Sequence, residues 1–194
     1  MRNRLTYRAG TPRLKCYIRT RAPPFRAGGG RGWAQPEDPV DGTTYLYFAY
    51  GSNMSTARLT ARTPSARVVG RGRLPGHALR WHKLGRDGSG KCDVVVAGAE
   101  SAAVVWGVLY RIDRAEKADL DRIEGLGVGY DEYEVVVSTQ AGEMAASTYR
   151  ARPGAVDPAL RPRRWYKAHV LAGAREHGLP APYIEMIEGV EAAP

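Results

Sequence analysis

Leu46-Tyr47-Phe48-Ala49-Tyr50-Gly51-Ser52-Asn53-Met54 is the most informative stretch of this 194-residue chain. Its first five residues, with Tyr45 before them, make a dense aromatic and apolar run that reads as a buried strand. Ser55 stands where it would cap a short helix reaching about Ala61, ahead of Pro64. Between the two, Gly51 lets the backbone turn and admits close approach by a ligand. Ser52 and Asn53 add polar side chains, and successive amides ahead of a helix attract negative charge. The loop therefore suits a carboxylate or a developing oxyanion. Read from spacing alone, an ordinary strand-to-helix turn accounts for it as well.

Working outward, β-prone apolar stretches follow at 67–74, 78–81, 93–97 and 102–110. Asp113-x-x-Glu116 has the spacing of a capping box, with Ala115, Ala118, Leu120 and Ile123 placed to pack inward from the helix behind it. Gly125, Gly127 and Gly129 end that helix in a bend. Segments 132–139 and 143–150 read as a hairpin around Ala141-Gly142. A helix is expected over 164–177, with Tyr166, Val170 and Ala174 on one face and Gly178 as its stop. Pro182 opens a last short helix through Ile187. Strands and helices do not alternate regularly. The expectation is an α+β fold: a mixed, curved or barrel-like β-sheet with flanking short helices.

Composition narrows the classes of function. Hydrophobic residues are 43% and charged residues 25%, enough apolar material for a core. No run of about 18 apolar residues exists, so no membrane-spanning helix is expected, and the expected compartment is cytoplasmic. Cys16 and Cys92 stand alone and far apart, and His77, His82, His169 and His177 are scattered. No metal site is expected. The net charge of +9 is concentrated at one end: residues 1–44 hold nine basic side chains against three acidic ones. That segment is rich in Pro and Gly and is expected to be a basic, disordered extension ahead of one domain over 45–194. The near-neutral remainder carries no signature of nucleic-acid binding. Oligomeric state is not legible.

Two motifs fail on context. Gly85-Arg86-Asp87-Gly88-Ser89-Gly90-Lys91-Cys92 nearly spells a phosphate-binding loop, but Cys92 replaces the hydroxyl that would hold magnesium, and a strand follows instead of a helix. A flexible hairpin tip is the better reading. Gly125-x-Gly-x-Gly follows a helix and has the wrong spacing for a dinucleotide fingerprint. Glu124 is less easily placed. A carboxylate in the last turn of a helix faces the negative end of its dipole. Such a residue is either solvated or a base tuned by its surroundings. Asp121 and Glu116 read as solvated helix-face charges.

Three separated stretches together resemble the gamma-glutamylcyclotransferase family. They are Leu46 to Met54, the family's signature loop; Leu120-Asp121-Arg122-Ile123-Glu124-Gly125, whose glutamate matches the family's catalytic residue; and Tyr166-Lys167 through Gly173-Ala174-Arg175-Glu176-His177-Gly178-Leu179-Pro180. Trp106-Gly107-Val108-Leu109-Tyr110 also fits, and the match runs over about 145 residues in order and spacing. The resemblance implies a cofactor-independent lyase or acyltransferase that cyclises a γ-glutamyl amino acid or amine to 5-oxoproline. It implies Glu124 as general acid/base. It implies substrate contacts from Tyr50, Gly51, Ser52 and Asn53, and from Tyr130 and Tyr166, the match of Tyr130 depending on one gap. Asn53 stands where the glutathione-specific branch usually has Leu, which points away from that branch. The alternatives are a non-catalytic binding module on the same fold and a cyclotransferase that removes a γ-glutamyl group from an amine or a biosynthetic intermediate.

Overall fold

The computed structural model describes residues 42–98 and 101–194. The extension expected over 1–44 lies outside the described residues except for its last three. Seven strands follow: β1 (Thr44–Ala49), β2 (Arg67–Pro75), β3 (His77–Leu84), β4 (Gly90–Val96), β5 (Val104–Asp113), β6 (Tyr130–Thr139) and β7 (Gly142–Ala151). The helices are α1 (Thr56–Thr60), α2 (Lys117–Glu124), α3 (Arg164–Glu176) and α4 (Ala181–Glu188).

Five strands close a barrel in the order β1-β5-β2-β6-β7. The pairs β1–β5, β2–β5 and β6–β7 are long antiparallel ladders. The barrel closes through two minimal contacts: the parallel bridge Tyr47↔Ser147 and the antiparallel bridge Arg73↔Ser138. The curved or barrel-like sheet read from the sequence is therefore a closed barrel. Both faces of its wall are packed: Phe48, Val105, Leu109 and Val137 are fully buried, and so are Tyr110 and Ile112, which alternate with Leu109 along β5. Closure leaves few exposed edges.

The hairpin β3–β4 stands apart from the barrel. Its tip is the near-miss phosphate loop, folded as a turn in which Asp87 Oδ1 accepts from the Ser89 amide (3.2 Å) and hydroxyl (2.9 Å). Its base is fastened to β7: Asp93 Oδ1 accepts from the Ala151 amide at 2.7 Å, and Arg150 Nε donates to the Val94 carbonyl at 3.1 Å.

The helical segment after β5 departs from the capping-box reading. Arg114–Glu116 is a 3-10 turn, and Asp113 makes no side-chain cap. Glu116 instead accepts from the Ser65 amide (3.1 Å) and hydroxyl (2.7 Å), because the loop before β2 brings those donors closer than its own helix start. Of the four residues expected to pack inward, Leu120 is fully buried, Ile123 is half-buried, and Ala115 and Ala118 are exposed. The expected face of α3 is borne out, with Tyr166, Val170 and Ala174 buried.

No described helix is long and apolar enough to cross a membrane.

α3 is what seats the loop after β1. A Cβ on Gly173 would lie 2.4 Å from the Met54 carbonyl carbon and the Ser55 nitrogen. Those are backbone atoms that can yield only if the loop moves. Gly173→Ala gains about 1 kcal/mol of helix propensity, but overpacking costs about 1–3 kcal/mol. A net loss is expected, lowering the melting temperature by about 2–4 °C for each kcal/mol. A melting temperature at or above wild type would contradict this contact.

Candidate active site

The loop after β1 is a single 3-10 turn over Ser52–Met54, and Ser52, Asn53 and Met54 are all buried. Its first hydrogen bond runs from the Met54 amide to the Gly51 carbonyl at 3.0 Å. The Ser52 and Asn53 amides thus lie ahead of the turn's own bonding. Gly51 has φ −115°, outside the left-handed region. What demands glycine there is close approach: a Cβ would meet Cys92 Cβ at 3.1 Å and the Tyr166 hydroxyl at 3.3 Å.

Glu124 is the last residue of α2, and Gly125 after it adopts the left-handed conformation (φ 75°) that turns the chain away. Its side chain is only 16% exposed, so a simple solvated charge does not describe it. Oε1 accepts from Asn53 Nδ2 at 2.9 Å and from Arg62 Nη1 at 3.0 Å. Oε2 receives no hydrogen bond from any described residue. One carboxylate oxygen is therefore anchored and the other is unspent.

Asn53 joins these groups. Its Nδ2 donates to both Glu124 and the Tyr47 hydroxyl (3.1 Å), and its Oδ1 accepts from Arg62 Nη1 at 2.8 Å. Both side-chain N–H groups are spent within the protein, so the donor that Asn53 has left for a ligand is its backbone amide.

These elements form a small solvent-open cavity lined by Tyr47, Tyr50, Gly51, Ser52, Asn53 and Glu124, together with Cys92, Tyr130, Tyr149 and Tyr166. All six expected substrate contacts and Glu124 line this one cavity. Tyr50 donates its hydroxyl to the Tyr149 carbonyl, and Tyr130 donates to the Cys92 carbonyl at 2.7 Å. Both hydroxyl hydrogens are spent, so these two rings act as walls. Tyr166 accepts from the Cys92 amide at 3.0 Å, and Tyr47 accepts from Asn53; each keeps its own hydrogen to donate. Burial pushes the phenols of Tyr47, Tyr50, Tyr130 and Tyr166 well above the ordinary tyrosine range, which keeps them neutral. Burial also pushes the Cys92 thiol up to about 12, so it offers no thiolate.

The sequence reading missed Tyr47, Arg62, Cys92 and Tyr149. Alternation along β1 could have flagged Tyr47. Nothing local distinguishes Arg62 from the chain's other arginines. Asp121 is also more than a solvated charge: it accepts from the Tyr149 hydroxyl at 2.6 Å and pairs with Lys117.

A small barrel whose loop and helix end share one polar cavity has the form of a small-molecule site. Comparison with known proteins gives it a family. A model of the AIG2-like family matches residues 104–187. Gamma-glutamylcyclotransferase of Bos taurus is 34% identical over 155 residues, covering 78% of this chain and 81% of that protein. The Homo sapiens protein of the same name is 33% identical over 159 residues, with the same coverage. A solved gamma-glutamyl cyclotransferase superposes with a TM-score of 0.71 at 30% identity, covering 77% of this chain and 89% of that one. YkqA of Bacillus subtilis shares the fold, with a TM-score of 0.65 at 23% identity over 77% of this chain and 56% of that one. The chain belongs to the gamma-glutamylcyclotransferase family.

The Arg62–Glu124 pair is part-buried at both ends. Removing one partner leaves the other without its counter-charge. A double-mutant cycle with Arg62→Met and Glu124→Gln, read by urea unfolding, is expected to give a coupling of about 1–3 kcal/mol. Additive effects would contradict the pair.

Proposed function

We propose that this protein is a gamma-glutamylcyclotransferase that converts a γ-glutamyl compound to 5-oxoproline and a free amine or amino acid. The observation that carries this reading is the unspent oxygen of Glu124, at a cavity that residue shares with the Gly51–Asn53 turn. Both requirements of the reaction meet there.

The substrate's α-amine attacks its own γ-carbonyl, so the substrate supplies its own proximity. Its ammonium must first lose a proton, because the charged form has no lone pair. Glu124 takes that proton on Oε2 while Asn53 and Arg62 hold Oε1 in place. The new C–N bond gives a tetrahedral oxyanion. The Gly51, Ser52 and Asn53 amides and the Tyr166 hydroxyl are the donors available to it. After attack the ring nitrogen still carries two hydrogens. As the original C–N bond breaks, Glu124 gives its proton to the departing nitrogen and takes the surplus proton from the ring nitrogen, which then passes to the released amine. One carboxylate thus serves as base and then as acid.

The magnitudes are compatible. Proton transfer from an ordinary α-ammonium to an ordinary glutamate is uphill by about 3.5 pKa units, or about 5 kcal/mol. A turnover of about 10 per second corresponds to a barrier of about 16 kcal/mol. The transfer leaves about 11 kcal/mol for ring closure.

Glu124→Gln keeps the side-chain shape and its acceptor oxygen but cannot carry the proton. It is expected to fold and to lose about 10²- to 10⁴-fold in turnover, measured as 5-oxoproline release from a panel of γ-glutamyl compounds by mass spectrometry. Near-wild-type release would remove Glu124 from the chemistry.

A further inference from the structure

Lys83 takes no part in the steps above, yet it is placed against the site. It lies near the end of β3, where the pairing with β4 shifts register between Arg80 and Lys83. Its side chain passes so close to Gly129 that a Cβ there would meet Cε and Nζ at 2.7 Å. Nζ then rests 4.6 Å from the centre of the Tyr130 ring, and Tyr130 is a wall of the cavity. No described carboxylate lies within ion-pair distance of it. Burial pulls this ammonium below the usual lysine value, and Glu124 is the strongest charge acting the other way.

Three other cations around the site are committed, and Arg86, which also acts on Lys83, is exposed. Arg62 is paired with Glu124. Lys91 donates to Asp87 at 2.9 Å and to Ser89 Oγ at 2.8 Å. Arg58 Nε donates to Ser52 Oγ at 3.2 Å. Against those three, Lys83 has a ring face and no hydrogen-bond acceptor among the described residues. A partly desolvated ammonium without a counter-ion is unfavourable, and a ring face restores only part of what water supplied. An incoming carboxylate would supply the rest as a charge-assisted hydrogen bond.

The substrate has a part the mechanism does not hold. The cyclotransferase reading sets the γ-glutamyl half between Glu124 and the turn and leaves the leaving group without a partner. We propose that Lys83 is a specificity-determining residue, which selects γ-glutamyl compounds whose leaving amine carries a carboxylate by pairing with that carboxylate. This rests on the cyclotransferase reading and deepens it. Lys83 exchanges no proton in the reaction; it contributes binding to one class of substrate over another.

The test compares γ-glutamyl-alanine with γ-glutamyl-ethylamine, which differ only by the carboxylate, in wild type, Lys83→Met and Lys83→Arg. Lys83→Met is expected to lower the alanine-to-ethylamine ratio of kcat/KM about tenfold, mainly through KM for the alanine compound, with Lys83→Arg recovering most of it. An unchanged ratio, or an equal fall for both compounds, would overturn the role of Lys83 while leaving the cyclotransferase intact. Absence of 5-oxoproline from both compounds with wild type would overturn the proposed function and this inference with it.

Discussion

The side chain of Asn53 is the constraint on which the site depends. It bonds simultaneously to the Tyr47 hydroxyl, Glu124 and Arg62. Those residues come from the first strand, the end of α2 and the segment after α1. One buried amide therefore fixes three elements, one of them far away in sequence. Breaking any of its bonds would leave a polar group unpaired in a place water reaches poorly, a cost of about 1–3 kcal/mol. The surrounding packing serves the same end. Gly173 lets α3 press directly on the loop, and the Tyr149–Asp121–Lys117 contacts tie α2 to the barrel. Arg62 supplies the counter-charge that lets the Glu124 carboxylate sit at a helix C-terminus, against the dipole.

Five tyrosines line the cavity, yet they leave it chemically sparse. Tyr50, Tyr130 and Tyr149 spend their hydroxyl hydrogens on protein acceptors. Tyr47 and Tyr166 accept from Asn53 and Cys92 and keep theirs. The groups left to a ligand include those two hydroxyls, the Ser52 hydroxyl, the amides of the turn and one oxygen of Glu124. One free carboxylate oxygen among several neutral donors suits the proposed acyl compound with its own amine nucleophile. Cys92, in the same wall, is kept a thiol by burial.

Much of this is legible in the sequence, because the signals are local. The run before Gly51, the β6–β7 hairpin and the buried face of α3 each follow from periodicity and turn residues close by in the chain. Closure of the barrel is not legible. It rests on single bridges such as Tyr47↔Ser147, between residues remote in sequence, which leave no periodic trace. The capping box fails because Ser65, from another loop, competes for Glu116. Glu124 stands out by its position at a helix end, but its partner Arg62 is hidden among other arginines. Gly51 reads as a turn residue, and its value proves to be the room it leaves for Cys92 and Tyr166.

The central claim is that a γ-glutamyl compound lies with its amine at Glu124 and its acyl oxygen at the turn. A crystal structure of the Glu124→Gln variant soaked with γ-glutamyl-alanine tests it most directly. Expected is the α-nitrogen within about 2.6–3.2 Å of the substituted side chain, with the γ-carbonyl oxygen facing the amides of Gly51, Ser52 and Asn53. A ligand seated elsewhere, or one whose α-nitrogen points away from that side chain, would contradict it.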